Sequence, residues 1–187
     1  ADLYESYVGS IVSTCALAAA ATDEVNAVTV PLVIAGIGVI ASIIGTFFVR
    51  SGEKAEQKVL LRALRTGVYI SSALIFIASY FLVNSLLPNN MGIFWAIVSG
   101  LIAGNLIGFV TEYFTSDTYK PTRGLAKTSL TGPATIIIGG LSLGMLSTAI
   151  PVIIVGAGVL ASFFLAGGAE NFNMGLYGVG ISAVGML

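Results

Sequence analysis

Residues 28–49 read VTVPLVIAGIGVIASIIGTFFV, 22 positions without a charged side chain. At ~1.5 Å rise per residue, a helix of that length covers the ~30 Å hydrocarbon core of a bilayer. Pro31 is expected in the first turn of this helix, where a missing N–H costs nothing. Uncharged or nearly uncharged runs recur on both sides. The spacing predicts spans at about residues 3–21, 28–49, 66–87, 92–114, 133–165 and 175–187, forming one transmembrane domain over residues 1–187. The expected fold class is an all-α polytopic, multi-pass membrane protein with about six transmembrane helices.

Composition agrees with that reading. Hydrophobic residues make up 56% of the 187 and charged residues 9%, against roughly 25% charged in a soluble domain. Eight basic residues and a net charge of -1 leave no phosphate-tracking patch, so no nucleic-acid partner is expected. There is no histidine, and the single cysteine, Cys15, lies in an apolar run. Zinc sites, Ser–His–Asp chemistry and disulfide frameworks within the chain are thereby excluded. No basic segment precedes the first apolar run, so no signal peptide is expected. The chain starts inside an expected helix and stops within an apolar run, and is read as an internal fragment.

The turns and charges order the spans. Thr22-Asp23-Glu24-Val25-Asn26, Pro88-Asn89-Asn90 and Gly167-Gly168-Ala169-Glu170-Asn171 are breaks. Residues 128–169 carry no charge, and two readings stand: one long helix kinked at Pro151, or two short spans. No turn cluster divides the region, which favours one tilted helix over 133–165. All eight basic residues fall in two connections, Arg50–Arg65 and Ser116–Ser129, and the alternate connections contain none. The positive-inside rule places the basic connections in the cytoplasm. Within the first of them, Glu53 to Lys58 is expected to be solvated loop or helix end. Gly100, Gly104 and Gly108, and later Gly140, Gly144 and Ser147-Thr148, are small-residue rows that let helices approach closely.

Chemistry is sparse. Asp2 and Glu5 stand at i and i+3 at the start of the first helix, with Ser6 at i+4. Three oxygen-bearing side chains on one face can coordinate a hard cation such as Na⁺ or relay protons. An acid at membrane depth costs at least ~2.5 kcal/mol and so faces a partner or a water-filled path. The plainer reading puts both acids at the membrane surface, favoured by the positive end of the helix dipole. Glu112 lies near the cytoplasmic end of its span, where a surface role is expected.

Several stretches carry a family likeness. Ala1-Asp2-Leu3-Tyr4-Glu5-Ser6-Tyr7 resembles the G-A-D-L-x-E-S segment of the membrane-bound, ion-translocating inorganic pyrophosphatases. Thr111-Glu112-Tyr113-Phe114-Thr115-Ser116 with Tyr119-Lys120-Pro121-Thr122 is similar to their T-E-Y-Y-T-S…Y-K-P-T. Thr131-Gly132-Pro133-Ala134-Thr135 with Gly140 to Met145 resembles T-G-P-A-T…G-L-x-x-G-M. Leu176-Tyr177-Gly178-Val179 with Ala183 to Leu187 resembles L-Y-G-V/I…A-x-G-M-L.

The resemblance implies the middle part of a fold of about sixteen helices that assembles as a homodimer. The first and last helices of this chain would belong to its inner ring and the others to its outer ring. Hydrolysis of Mg²⁺-bound pyrophosphate, attacked by an aspartate-activated water, would drive Na⁺ or H⁺ outward through a prokaryotic cell membrane, with K⁺ as a possible further cofactor. Asp2 and Glu5 match the family's ion-gate acids and Ser6 their hydroxyl neighbour. The aspartate-rich motifs that bind Mg²⁺ and substrate would lie before Ala1 and beyond Leu187. Hence no catalytic residue, cofactor site or metal ligand is expected here, and the fragment alone is expected to be inactive. Two other readings are weighed. A secondary transporter with an acidic intramembrane cation site needs no pyrophosphate, but the repeated halves expected of it are not visible. A membrane scaffold explains the glycines and not the acid pair.

Overall fold

The computed structural model describes the backbone of residues 2–50 and 57–186, with side chains for 4–50, 57 and 59–186. Among these, the chain forms seven α-helices: α1 (Asp2–Ala21), α2 (Val25–Phe47), α3 (Gln57–Leu86), α4 (Met91–Thr115), α5 (Lys120–Thr128), α6 (Pro133–Leu165) and α7 (Phe172–Met186). A 3-10 turn at Ser129–Thr131 precedes α6. Four apolar stretches, Val25–Phe47, Val59–Leu86, one beginning at Met91, and Pro133–Leu165, are long enough to cross a bilayer. The protein is an all-α membrane protein. Glu53, Lys54 and Glu56 lie outside the described residues, as do Ala1 and Leu187.

The chain divides into two compact units: residues 1–102 with 158–187, and residues 103–157. In the first, α2 packs on α3 and α1 packs on both α2 and α7. Its core gathers Ala18, Val30, Ile34, Val83, Ile93, Ile97, Tyr177 and Ile181. Small residues set the closest approaches. A Cβ built on Gly100 would strike the Ser182 carbonyl, and one on Gly45 the Ser71 hydroxyl. Ser71 Oγ itself donates to the Ala41 carbonyl, 3.1 Å away on α2. Of the Gly100–Gly104–Gly108 row, then, Gly100 meets a neighbour, whereas around Gly108 there is open space among the described residues. Gly140 and Gly144 on α6 likewise have open space beside them.

The start of α2 corrects one expectation. The helix begins at Val25, three residues before the expected span, because Glu24 N–H already bonds Thr22 Oγ1 (3.1 Å) in a tight turn. Pro31 is therefore the seventh residue of α2, not part of its first turn. A proline there cannot donate to the carbonyl four residues earlier, that of Ala27. Tyr177 of α7, fully buried, supplies the missing donor: its hydroxyl bonds the Ala27 carbonyl at 2.9 Å. The lost helical bond is thus replaced by one that ties α7 to α2.

Helix ends on this unit are closed in the same way. The last carbonyls of a helix lack intrahelical partners. Asn26 Nδ2 donates to the Leu86 carbonyl of α3 (3.3 Å), and Asn173 Nδ2 to the Ala20 carbonyl of α1 (3.3 Å). α6 ends in a left-handed Gly167 (φ 91°), with Gly168 N–H reaching the Phe163 carbonyl and Gly167 N–H the Phe164 carbonyl. No buried side-chain nitrogen or oxygen among the described residues lacks a partner.

α6 itself is one uninterrupted helix of 33 residues with Pro151 inside it, and Ser162 is its buried residue. α3 starts at Gln57, so Arg62 and Arg65 are helical rather than loop residues.

Candidate functional site

α1 has two chemically different faces. Tyr7, Ile11, Thr14 and Ala18 follow a 4-3-4 spacing and turn inward, Thr14 and Ala18 being fully buried. The Tyr7 hydroxyl donates to the Ala35 carbonyl of α2 at 2.9 Å, and Cys15 Sγ to the Val28 carbonyl at 3.4 Å. Thr14 stands over Gly180 of α7, where a Cβ would come within 2.9 Å of its Oγ1. These contacts fix the rotation of α1 about its own axis.

The opposite face is thereby also fixed. Glu5, Ser6, Gly9, Ser13, Ala16 and Ala20 share it and all are exposed among the described residues. It contains one acid, two hydroxyls and small residues, with the exposed Val12 two turns beyond Glu5 at its edge. The helix runs through Asp2, so Asp2 keeps its i, i+3 register with Glu5. The hydroxyls along α1 bond to their own helix: Ser10 Oγ to the Ser6 carbonyl (2.9 Å), Ser13 Oγ to that of Gly9 (2.8 Å), and Thr14 Oγ1 to that of Ser10 (2.6 Å). Such back-bonding satisfies the hydroxyl donors within the helix.

Among the expected site residues, Glu5 and Ser6 both lie on this exposed side, about 100° apart around the helix, with Asp2 one turn earlier in the backbone. Glu112 is in the last turns of α4 and belongs to the other compact unit. The sequence did not disclose what holds α1 in place. Tyr7, Cys15 and Thr14 look like ordinary span residues.

A profile of the family "Inorganic H+ pyrophosphatase" matches residues 1–187. The chain belongs to this family. A relative from Bacteroides thetaiotaomicron is 52% identical, covers 100% of this chain and is provisionally named a K(+)-stimulated pyrophosphate-energized sodium pump. A Clostridium tetani protein with the same provisional name is 44% identical over 100% of the chain. A Methanosarcina mazei protein named a K(+)-insensitive pyrophosphate-energized proton pump is 37% identical, again over the whole chain. The chain spans about 27% of the length of these three curated relatives.

For a pyrophosphatase-family chain, Mg²⁺ is the metal to test against the residues present. Mg²⁺ demands an octahedral set of oxygens, with carboxylates as its protein ligands. Among the described residues no three of Cys, Asp and Glu come together as a metal site. No chemical step is assigned to a metal on these residues.

Proposed function

We propose that residues 1–187 are a membrane section of a pump that couples pyrophosphate hydrolysis to cation transport, and that the exposed face of α1 lines the cation path. One observation carries the second part. The face of α1 that contains Glu5, Ser6 and Ser13 is left uncovered while the opposite face is packed and hydrogen-bonded. A carboxylate and small polar residues on a bilayer-crossing helix are unfavourable against lipid, so this face borders water or polar protein.

In this role the Glu5 carboxylate, with Asp2 one turn away, supplies the negative charge that a partly dehydrated cation needs. Ser6 adds a neutral oxygen beside it. The small residues further along, Gly9, Ser13 and Ala16, leave width for an ion to pass. Na⁺ is the favoured cargo and K⁺ the stimulating ion, because the relatives at 52% and 44% identity are named for both; the proton-pump relative stands at 37%. Pyrophosphate and Mg²⁺ would be held by parts of the protein beyond these residues. The basic connections at Arg50–Arg65 and Ser116–Ser129 face the cytoplasm of a bacterial cell, and the pump works as a homodimer. Nothing in the fold or the family assignment favours a secondary transporter.

The test uses the intact protein in sealed vesicles, with Na⁺ uptake, H⁺ uptake and pyrophosphate hydrolysis measured together. Glu5→Gln is expected to reduce pyrophosphate-driven uptake at least tenfold, equivalent to about 1.4 kcal/mol. Asp2→Asn should also lower it. Unchanged uptake in both variants would remove these residues from the path.

A further inference from the structure

We propose that α5 lies in the membrane–water interface and that its basic face binds the headgroups of anionic lipids. Lys120, Arg123 and Lys127 stand at i, i+3 and i+7 and are all exposed. Pro121, Thr122, Leu125 and Thr128 occupy the other side and are all half-buried. The helix is therefore two-faced, and its burial pattern follows its sequence pattern.

The position of α5 is set by its contacts within one compact unit. Thr122 Oγ1 donates to the Phe114 carbonyl near the end of α4 (3.0 Å), and Arg123 Nε to the Asp117 carbonyl (2.7 Å). On the other side Leu125 lies over Gly139, whose Cβ would approach its Cδ1 to 3.1 Å, with Thr128 next to it. Gly139 is six residues into α6, about 9 Å along an axis that goes on to cross the bilayer. The headgroup zone on each side of the core is roughly 5–8 Å deep. Packing at that level keeps α5 beside the headgroups and prevents it from projecting into water.

Two features select a lipid over a free anion. Leu130, in the 3-10 turn after α5, is 88% exposed, and Ile137 and Ile138 on the adjoining turns of α6 are 61% and 68% exposed. That apolar surface next to a basic face matches the boundary between acyl chains and phosphates. Charge is also unbalanced: from Asp117 to Ala169 the chain contains three basic residues and one acid, Asp117. A surface of anionic lipid offers the missing countercharge.

The experiment places a fluorophore on the face. Gly124 has open space around it, so Gly124→Cys can be labelled in the intact protein on a background otherwise free of cysteine. The protein is reconstituted in nanodiscs of equimolar phosphatidylcholine and phosphatidylglycerol, with a headgroup spin label on one lipid or the other. Labelled phosphatidylglycerol is expected to quench about two- to fivefold more strongly than labelled phosphatidylcholine. The excess should vanish when ionic strength rises from about 0.1 M to about 1 M, which shortens the screening length from ~10 Å to ~3 Å. It should shrink in Lys120→Gln/Lys127→Gln, a variant that keeps the structural Arg123 bond, and disappear when Arg123→Gln is added. Equal quenching by the two lipids would overturn the proposal. So would quenching by a water-soluble agent alone, or displacement by inorganic phosphate without any lipid preference.

Discussion

α2 and α6 are both uncharged and both contain an internal proline, yet among the described residues one is packed and the other open. α2 buries seven residues, Pro31 among them, between α1, α3 and α7. α6 buries Ser162 and presents Ile137, Leu141, Met145, Val152 and Leu160 outward. Hydropathy sends both helices to the membrane but does not say whether a neighbour is protein or lipid. That distinction lies in the small residues and in the few hydroxyls and amides that bridge helices. Tyr177 supplies the donor that Pro31 lacks, and Asn26 and Asn173 close the ends of α3 and α1. Without charge to guide it, a bundle of this kind takes its arrangement from such bonds.

The largest effect is expected where backbone meets backbone. Gly100→Val drives a side chain into the Ser182 carbonyl of α7, which has no rotamer by which to yield. It should lower stability by about 3 kcal/mol or more, seen as early thermal denaturation in detergent or failure to insert. Gly144→Ala on α6 is the contrasting variant and should be neutral or stabilising by up to ~1 kcal/mol, since nothing described stands within 4 Å. A loss there would place a packed neighbour on α6 and break the contrast.

Next comes the hydrogen bond itself. Tyr177→Phe leaves the Ala27 carbonyl buried without its donor and should cost about 1–3 kcal/mol. In a Pro31→Ala background the carbonyl recovers a helical N–H, so the same substitution should cost about 1 kcal/mol less. The double-mutant cycle reads that coupling directly. Additive effects would mean that Tyr177 acts by packing alone. The smallest change is expected for Asn173→Ala, about 0.5–1 kcal/mol, because the Ala20 carbonyl it bonds lies near the helix end and can turn to other donors.

Much of this was legible in the chain. Uncharged runs bounded by Asp23-Glu24, Pro88-Asn90 and Glu170 fix the helices to within a few residues, except α3, which extends back into the basic connection to Gln57. The α2 boundary was misjudged because Val25 and the polar Asn26 were grouped with the Thr22–Glu24 break, although both fit a first helical turn. The i, i+3 spacing of Asp2 and Glu5 was legible. Which way Glu5 faces was not, because rotation of α1 depends on Tyr7 meeting Ala35, Cys15 meeting Val28 and Thr14 meeting Gly180, contacts between residues 13 to 166 positions apart. α5 was also hidden. Nine residues with three charges look like a loop until Leu125 and Thr128 find Gly139.

The central claim is that the exposed face of α1 borders a hydrated cation path, and site-by-site thiol reactivity tests it most directly. In the intact protein with Cys15 replaced by Ala, single cysteines at Gly9 and Ser13 should react with a small charged thiol reagent in vesicles. Cysteines at Ile11 and Ala18, on the packed face, should not. The account further predicts that Na⁺ slows the reaction at Gly9. Equal protection of both faces, or reactivity confined to Ile11 and Ala18, would contradict it.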